Sequence, residues 1–426
     1  MLGRLLAVAL VAFLVRLGVA IAFQGLSAPP DAGSNPDQVD YELFGWRVAA
    51  GEGYTLADGT PTARRPPGTS FALLPPYVLF GHDHAAARVW FCLLSAATCF
   101  VTGLLGTAIF GGATGLVAAA VLALLPGHFY YAMHFLSEVP YGLLIAITCL
   151  CAVRSMQRPD DPSRRGGRGT LGLDVATGIF YGLAILTRPQ VAFAGPLALV
   201  AVLFTPRATR GRRFRQVITV GIASALVLVP WVLRNDRVLG KPLLSTIGGV
   251  TFWGANNPVI ANDPANAGGW MPVDTLVDAA HPLSGTEIEN DAAAWGYGLD
   301  YLRSHLGGLP RLLGFKLLRH FSPFRNTDNR AVYWSFALSW LALLPFLAAG
   351  CVIGLRRRRA ETVVLLLPVL STLLTALIFY GLIRFRDADA ALYVVPAAAA
   401  IVALCSRVDS ARCPPATTSS SGSTSR

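Results

Sequence analysis

Residues 3–23 read GRLLAVALVAFLVRLGVAIAF, an apolar run interrupted only by Arg4 and Arg16. A helix needs about 20 apolar residues to cross the hydrocarbon core of a bilayer. A secretory signal has a shorter apolar stretch and a small-residue cleavage site. This run is longer and no clear site follows it, so it reads as a retained first membrane helix, with Arg16 either snorkelling or facing the bundle interior. Further apolar runs follow near 87–110, 114–132, 139–153, 171–187, 190–205, 217–233, 332–354, 362–382 and 390–405. The fold class is therefore an all-α polytopic membrane protein with about ten spans. Composition agrees: 54% of residues are hydrophobic and 14% charged, against about 25% charged in a soluble domain. A disordered chain, a collagen and a multidomain soluble enzyme are excluded.

The net charge is +11, and Lys241 and Lys316 are the only lysines. Such charge often points to nucleic acid. Here the arginines fall in short blocks between apolar runs, the pattern of cytoplasmic loops. The blocks are Arg154 to Arg168, including Arg164 and Arg165; Arg207, Arg210, Arg212, Arg213 and Arg215; and Arg356 to Arg359. Threading ten helices from an inside N-terminus puts every block in the cytoplasm. The same threading makes 1–405 one transmembrane domain with outer segments at 24–85 and 234–331. Residues 406–426 become a disordered cytoplasmic tail. Juxtamembrane helices are expected at 41–50 and over 299–324, the latter lying in the membrane interface with a break at Pro310. Gly178 and Gly182 suit close helix packing. The cysteines avoid the long polar segments, so no disulfide framework is expected.

Polar chemistry concentrates at the outer helix ends. Residues 35–68 (NPDQVDYELFGWRVAAGEGYTLADGTPTARRPPG) hold Asp37 and Asp40, either a general base or N-caps of the helix from Tyr41. Arg64 and Arg65 precede two prolines that fix the backbone and suit phosphate, or a lipid headgroup. In 128–142 (HFYYAMHFLSEVPYG), His134 and Glu138 can share a helix face, and Ser137 can cap it. A metal held by histidines and Glu138 is conceivable there, whereas Gly81-His82-Asp83-His84 reads as an ordinary loop. Arg188, Arg384 and Arg386 sit at outer helix ends and would form a phosphate pocket if they converged. Arg234, Lys241, Asn256, Asn257 and Trp253 form an outer cluster of exposed polar groups and a possible sugar-stacking ring. No Walker loop, G-x-S-x-G or H-E-x-x-H is present.

At these residues the chain resembles GT-C glycosyltransferases of the family 39 type, the group of protein O-mannosyltransferases and lipid A aminoarabinose transferases. The carrying residues, in order, are Asp37, Tyr41, Gly51, Gly53 and Tyr54; Arg65-Pro66-Pro67; Ser137-Glu138; Leu186 to Pro189; Pro230 to Asn235; Gly248 to Pro258; and Arg384 to Arg386. Asp387-Ala388-Asp389-Ala390-Ala391 departs from the acidic-Pro pair that many relatives carry. The resemblance implies inverting transfer of a hexosyl or pentosyl unit from a polyprenyl-phosphate donor to a hydroxyl on the extracytoplasmic side. It gives Asp37, or Asp40, as base and Glu138 as orienter. Arg64, Arg65, Arg384 and Arg386 would hold the donor phosphate, and Tyr41, Tyr54, His134, Arg188, Arg234, Asn256 and Asn257 the substrate. Beyond the lipid-linked co-substrate, no cofactor or resident metal is implied, although a divalent metal is not excluded. The expected partners are the polyprenyl-phosphate sugar, a protein, lipid or glycan acceptor, and the bilayer, without nucleic acid. The expected location is the inner or plasma membrane with both termini cytoplasmic, and the arginine-rich, lysine-poor composition suggests a bacterium. The rival reading is a transporter or lipid flippase. Those bind near the midplane, where the charges here are chiefly Arg16 and Asp174.

Overall fold

The computed structural model describes residues 1–33, 35–158, 167–325, 327 and 329–412. The apolar runs become helices in the expected order. The first part holds α1 (Leu2–Phe23), α2 (Asp37–Ala49), α3 (Gly68–Ala72), α4 (Leu74–Phe80), α5 (His84–Phe110), α6 (Gly112–Leu124) and α7 (Pro126–Ala132). Next come α8 (Glu138–Gln157), α9 (Gly167–Thr187), α10 (Ala194–Leu203) and α11 (Arg207–Leu239). Four shorter helices follow: α12 (Gly248–Ala255), α13 (Pro258–Asn262), α14 (Glu287–Ser304) and α15 (Leu309–Phe321). The chain closes with α16 (Arg330–Arg357), α17 (Arg359–Ile378), α18 (Ile383–Ala388) and α19 (Ala390–Arg412). The described residues form no sheet, only a bridge between Thr55 and Pro61.

Among the described residues, eight helices are long and apolar enough to cross a membrane, and the α6–α7 pair, bent by 59°, makes nine if it forms one span. The expected run at 190–205 is the shorter apolar stretch Pro189–Leu203: Pro189 opens a 3-10 turn and the α-helix after it, Ala194–Leu203, falls below the length limit, yet the stretch still carries the chain from the end of α9 to the start of α11. Helix α11 runs on to Leu239, past residue 234 where the second outer segment was expected to start, and α19 is helical through Arg412, over residues expected as a tail. Arg164, Arg165 and residues 413–426 lie outside the described residues.

Hydrogen bonds place the arginine blocks at one end of the bundle. Arg212 donates to the carbonyls of Ser155 and Arg158, and Gln157 to that of Ala108. Gly354, just before the third block, packs against Phe110 and Thr362. Arg16 faces the interior. It is fully buried and donates to Ser95 Oγ and to the carbonyls of Ala12 and Ala123, with His128 Nδ1 2.8 Å away. A buried guanidinium with that many acceptors is satisfied where it stands, which ties α1 to α5 and α6. Gly178 and Gly182 do pack: a Cβ at Gly178 would stand 2.6 Å from the Val220 carbonyl, so α9 and α11 meet backbone to backbone.

Candidate active site

The opposite end carries the polar chemistry. Pro36 occupies the N-cap of α2 without a side-chain cap bond, so Asp37 and Asp40 lie inside the first helical turn and neither caps it. Their carboxylates turn to arginines instead. Asp37 Oδ1 is 2.9 Å from Arg65 Nη2, and Asp37 Oδ2 is 3.1 Å from Arg384 Nη1. Asp40 Oδ2 accepts from Arg65 Nε at 2.8 Å and stands 3.5 Å from Arg64 Nε. Glu138 opens α8 and bridges two more cations, Arg384 Nε at 2.6 Å and Arg188 Nη1 at 3.1 Å. Ser137, the N-cap of α8, makes no cap bond; its Oγ accepts from Arg188 Nη1 at 2.8 Å. The aspartate near the start, the arginine before the twin prolines, the arginine of L-T-R-P and the first arginine of R-F-R thus share one cluster.

The backbone around Arg65 is held firmly. Tyr54 Oη donates to the Arg65 carbonyl at 3.0 Å. Pro66 and Pro67 fix φ, and Gly68 lies so close to α9 that a Cβ there would stand 2.6 Å from the Thr187 amide nitrogen. Arg65 also stacks over Tyr41 at 5.9 Å. Three carboxylates meet four guanidiniums in this cluster, which leaves one positive charge over. Burial works to raise the pKa of Asp37, but Arg65 and Arg384 outweigh it and hold the carboxyl below its ordinary 3.8. Arg384 stays charged: burial opposes that, and Glu138 and Asp37 override it.

Several expected residues lie elsewhere. Arg386 turns away, donating to Asp387 Oδ1 at 2.8 Å and stacking 3.9 Å over Trp340. Arg234 clasps the first outer segment, donating to the carbonyls of Tyr54 and Thr62, each at 2.7 Å. Asn256, Asn257 and Trp253 are buried, not exposed. Asn257 Oδ1 caps α13 by accepting from Ile260 N, and Trp253 packs on Tyr297. His134 is buried too; neither ring nitrogen has a partner, and burial lowers its pKa to about 4. Among the described residues, no metal-ligand set forms around Glu138. Pro310 sits in the first turn of α15, so the expected break falls just before it. Tyr380 was not anticipated: it is half-buried near Asp37, Arg384, Arg188 and Arg65, and desolvation raises its hydroxyl to about 12. The aromatic just ahead of R-F-R was the available signal.

Asn256 Oδ1 accepts from Lys316 Nζ at 2.7 Å, and the carbonyls of Leu377 and Ile378 complete that ammonium's shell. Burial lowers Lys316 from 10.5 to about 7. Between these values the unfolded chain holds a proton that the folded protein lacks, so stability rises with pH across that window. Thermal unfolding should show a gain on the order of 2 kcal/mol between pH 7 and pH 9. A Lys316→Met variant should lose that slope; an unchanged slope would contradict the assignment.

A large apolar cavity of about 1210 Å³ lies at the arginine end, between α8, α9, α10, α11 and α17.

Among solved structures, the chain is similar to the archaeal oligosaccharyltransferase AglB from Archaeoglobus fulgidus in complex with an inhibitory peptide and a dolichol-phosphate. Identity is 15% and TM-score 0.56, over 96% of this chain and 51% of that one. The Archaeoglobus fulgidus oligosaccharyltransferase tethered to an acceptor peptide matches at 14% identity and TM-score 0.50, over 96% and 50%. ArnT from Cupriavidus metallidurans bound to undecaprenyl phosphate matches at 18% identity over 96% and 79%, with a TM-score of 0.43. The chain spans about half the length of the oligosaccharyltransferases it matches. This is a multi-pass helical membrane protein with the GT-C fold of the integral-membrane glycosyltransferases. Its residues 64–233, which include Arg65, Glu138 and Arg188, match the family model of dolichyl-phosphate-mannose-protein mannosyltransferases. No curated protein matches the chain by sequence.

Proposed function

We propose that the protein is a membrane glycosyltransferase that moves a sugar from a polyprenyl-phosphate donor to an acceptor hydroxyl, with inversion, on the extracytoplasmic side. The observation that carries this is Asp37 held between Arg65 and Arg384, 2.9 and 3.1 Å away, in a cluster with surplus positive charge. A donor phosphate competes for those two guanidiniums. As its oxygens take the arginine protons' hydrogen bonds, Asp37 loses the cations that depress its pKa and becomes a stronger base. The acceptor oxygen then attacks the anomeric carbon from the face opposite the phosphate. The C–O bond to the phosphate breaks, its electron pair stays on the phosphate oxygen, and the acceptor proton passes to Asp37. Arg65 and Arg384 stabilise the charge that grows on the leaving phosphate. Asp40 anchors Arg65, and Glu138 anchors Arg384 and Arg188.

The arginine blocks at the other end support a cytoplasmic face there, and on this reading both termini lie on that side. The membrane would be a cell inner or plasma membrane. The acceptor class and the sugar, hexosyl or pentosyl, are the variables an assay must supply. Purified protein incubated with radiolabelled polyprenyl-phosphate sugars should consume one of them and release polyprenyl phosphate. No consumption across hexosyl and pentosyl donors, with protein, lipid and glycan acceptors present, would reject the proposal.

A further inference from the structure

The loop Gly81-His82-Asp83-His84 does more than join two helices. Gly81 adopts φ +72, a left-handed turn that reverses the chain after α4. Asp83 is the N-cap of α5, its carboxylate accepting from the amides of Ala85 and Ala86. That leaves the imidazoles on either side of Asp83 free to turn to the same neighbour, Glu42 of α2. His82 Nε2 stands 2.5 Å and His84 Nε2 3.2 Å from the same oxygen, Glu42 Oε1. The three ligand atoms all lie within 4.8 Å of one another.

We infer that Glu42, His82 and His84 form a binding site for a zinc-class divalent cation. Two ligand atoms bound tetrahedrally at about 2.0–2.1 Å from one zinc stand about 3.3 Å apart, close to the spacing between Glu42 and His84. Two imidazoles and a carboxylate are a set that zinc favours over magnesium or calcium, which prefer oxygen alone. Around the ligands is an ordered second layer. Trp46 stacks on His82 with ring centroids 4.5 Å apart and planes within 9°. Tyr77 Oη donates to Glu42 Oε1 at 3.0 Å. Such outer partners orient ligands at metal sites. The side chain of Glu42 is only 10% exposed, while that of His82 is 40% exposed, so a cation can enter from the loop side.

The site is separate from the arginine cluster. Glu42 is five residues past Asp37, and at 100° per residue its side chain leaves α2 about 140° away from that of Asp37. The cation's role follows from this placement. It staples the back of α2 to the α4–α5 corner and so fixes the helix whose front carries Asp37 and Asp40.

The test measures metal directly and needs no transferase activity. The full chain, purified through a histidine-free tag, is stripped with chelator, re-equilibrated with zinc and analysed by plasma mass spectrometry. One zinc per chain is expected, against almost none in a His82→Ala/His84→Ala variant. Zinc should raise the melting temperature of the stripped protein and leave that of the variant unchanged. Cobalt(II) substituted into the wild-type protein should give the intense visible absorption of a four-coordinate site, which decides the matter even if the double variant fails to fold. Equal zinc in both proteins, or only the pale spectrum of hydrated cobalt in the wild type, would show a plain hydrogen-bonded cluster and overturn the inference.

Discussion

Asp37→Asn should lower sugar transfer by about 10²–10⁴-fold while the protein still inserts and runs as a monodisperse species in detergent. Asparagine keeps the shape and can still accept a hydrogen bond from Arg65 or Arg384, so the fold has little reason to change. It cannot take a proton from the acceptor. The substitution also removes the negative charge between two guanidiniums, so donor binding should hold or tighten as chemistry fails. The measurement is therefore a split: donor affinity by binding, turnover by label transfer. Asp40→Asn is the control, because Asp40 contacts Arg65 and Arg64 but not Arg384. Full turnover in Asp37→Asn with none in Asp40→Asn would move the base to Asp40. The pH profile adds a sign check. Arg65 and Arg384 hold free Asp37 below 3.8, so it remains ionised down through the usual carboxylate range. Its ion pairs are lost only as pH falls below that range, and the acid limb of kcat/KM should lie there too.

Arg384→Ala should damage both the fold and donor binding. Arg384 supplies three contacts to Glu138 and Asp37, and the side chain of Glu138 is only 2% exposed. Removing one partner of a buried pair leaves an uncompensated charge and costs about 3–5 kcal/mol. Arg188 still faces Glu138, which keeps the loss towards the lower end. Donor binding should fall as well, since one of two phosphate cations is gone. Arg384→Lys should not restore it, because an ammonium cannot bridge Glu138 and Asp37 with a planar fork. Thermal melting and donor binding should therefore drop together. A variant that melts normally and binds donor normally would refute the role. Arg386→Ala offers a contrast, for that side chain serves Asp387 and Trp340 and should leave donor affinity unchanged.

Much of this was legible in the residues. Apolar runs of membrane length announce helices without tertiary information, because the bilayer accepts little else. Arg65 was marked by two prolines, and Asp37 by its place just beyond the first span. Arg384 and Arg386 show where reading fails. They stand two apart on a short helix and so point to different sides, and sequence spacing could not say which side met the aspartate. Asn256, Asn257 and Trp253 were misjudged for a related reason. A polar segment outside the membrane looks exposed until its small helices pack on each other and bury the very groups that made it polar. His82 and His84 passed as a loop because their partner, Glu42, is a helix away.

The ion pair between Asp37 and Arg384 links residues 347 positions apart. At synthesis rates of about 5–20 residues per second, Asp37 leaves the ribosome roughly 17–70 s ahead of its partner. By then Asp37 has already met Arg65 and Glu138 has met Arg188, so the early cluster is balanced, three carboxylates against three guanidiniums. Arg384 arrives last, after the penultimate span, and brings the surplus cation; a polypeptide that stalls before it carries a neutral cluster with no positive charge to spare for a phosphate.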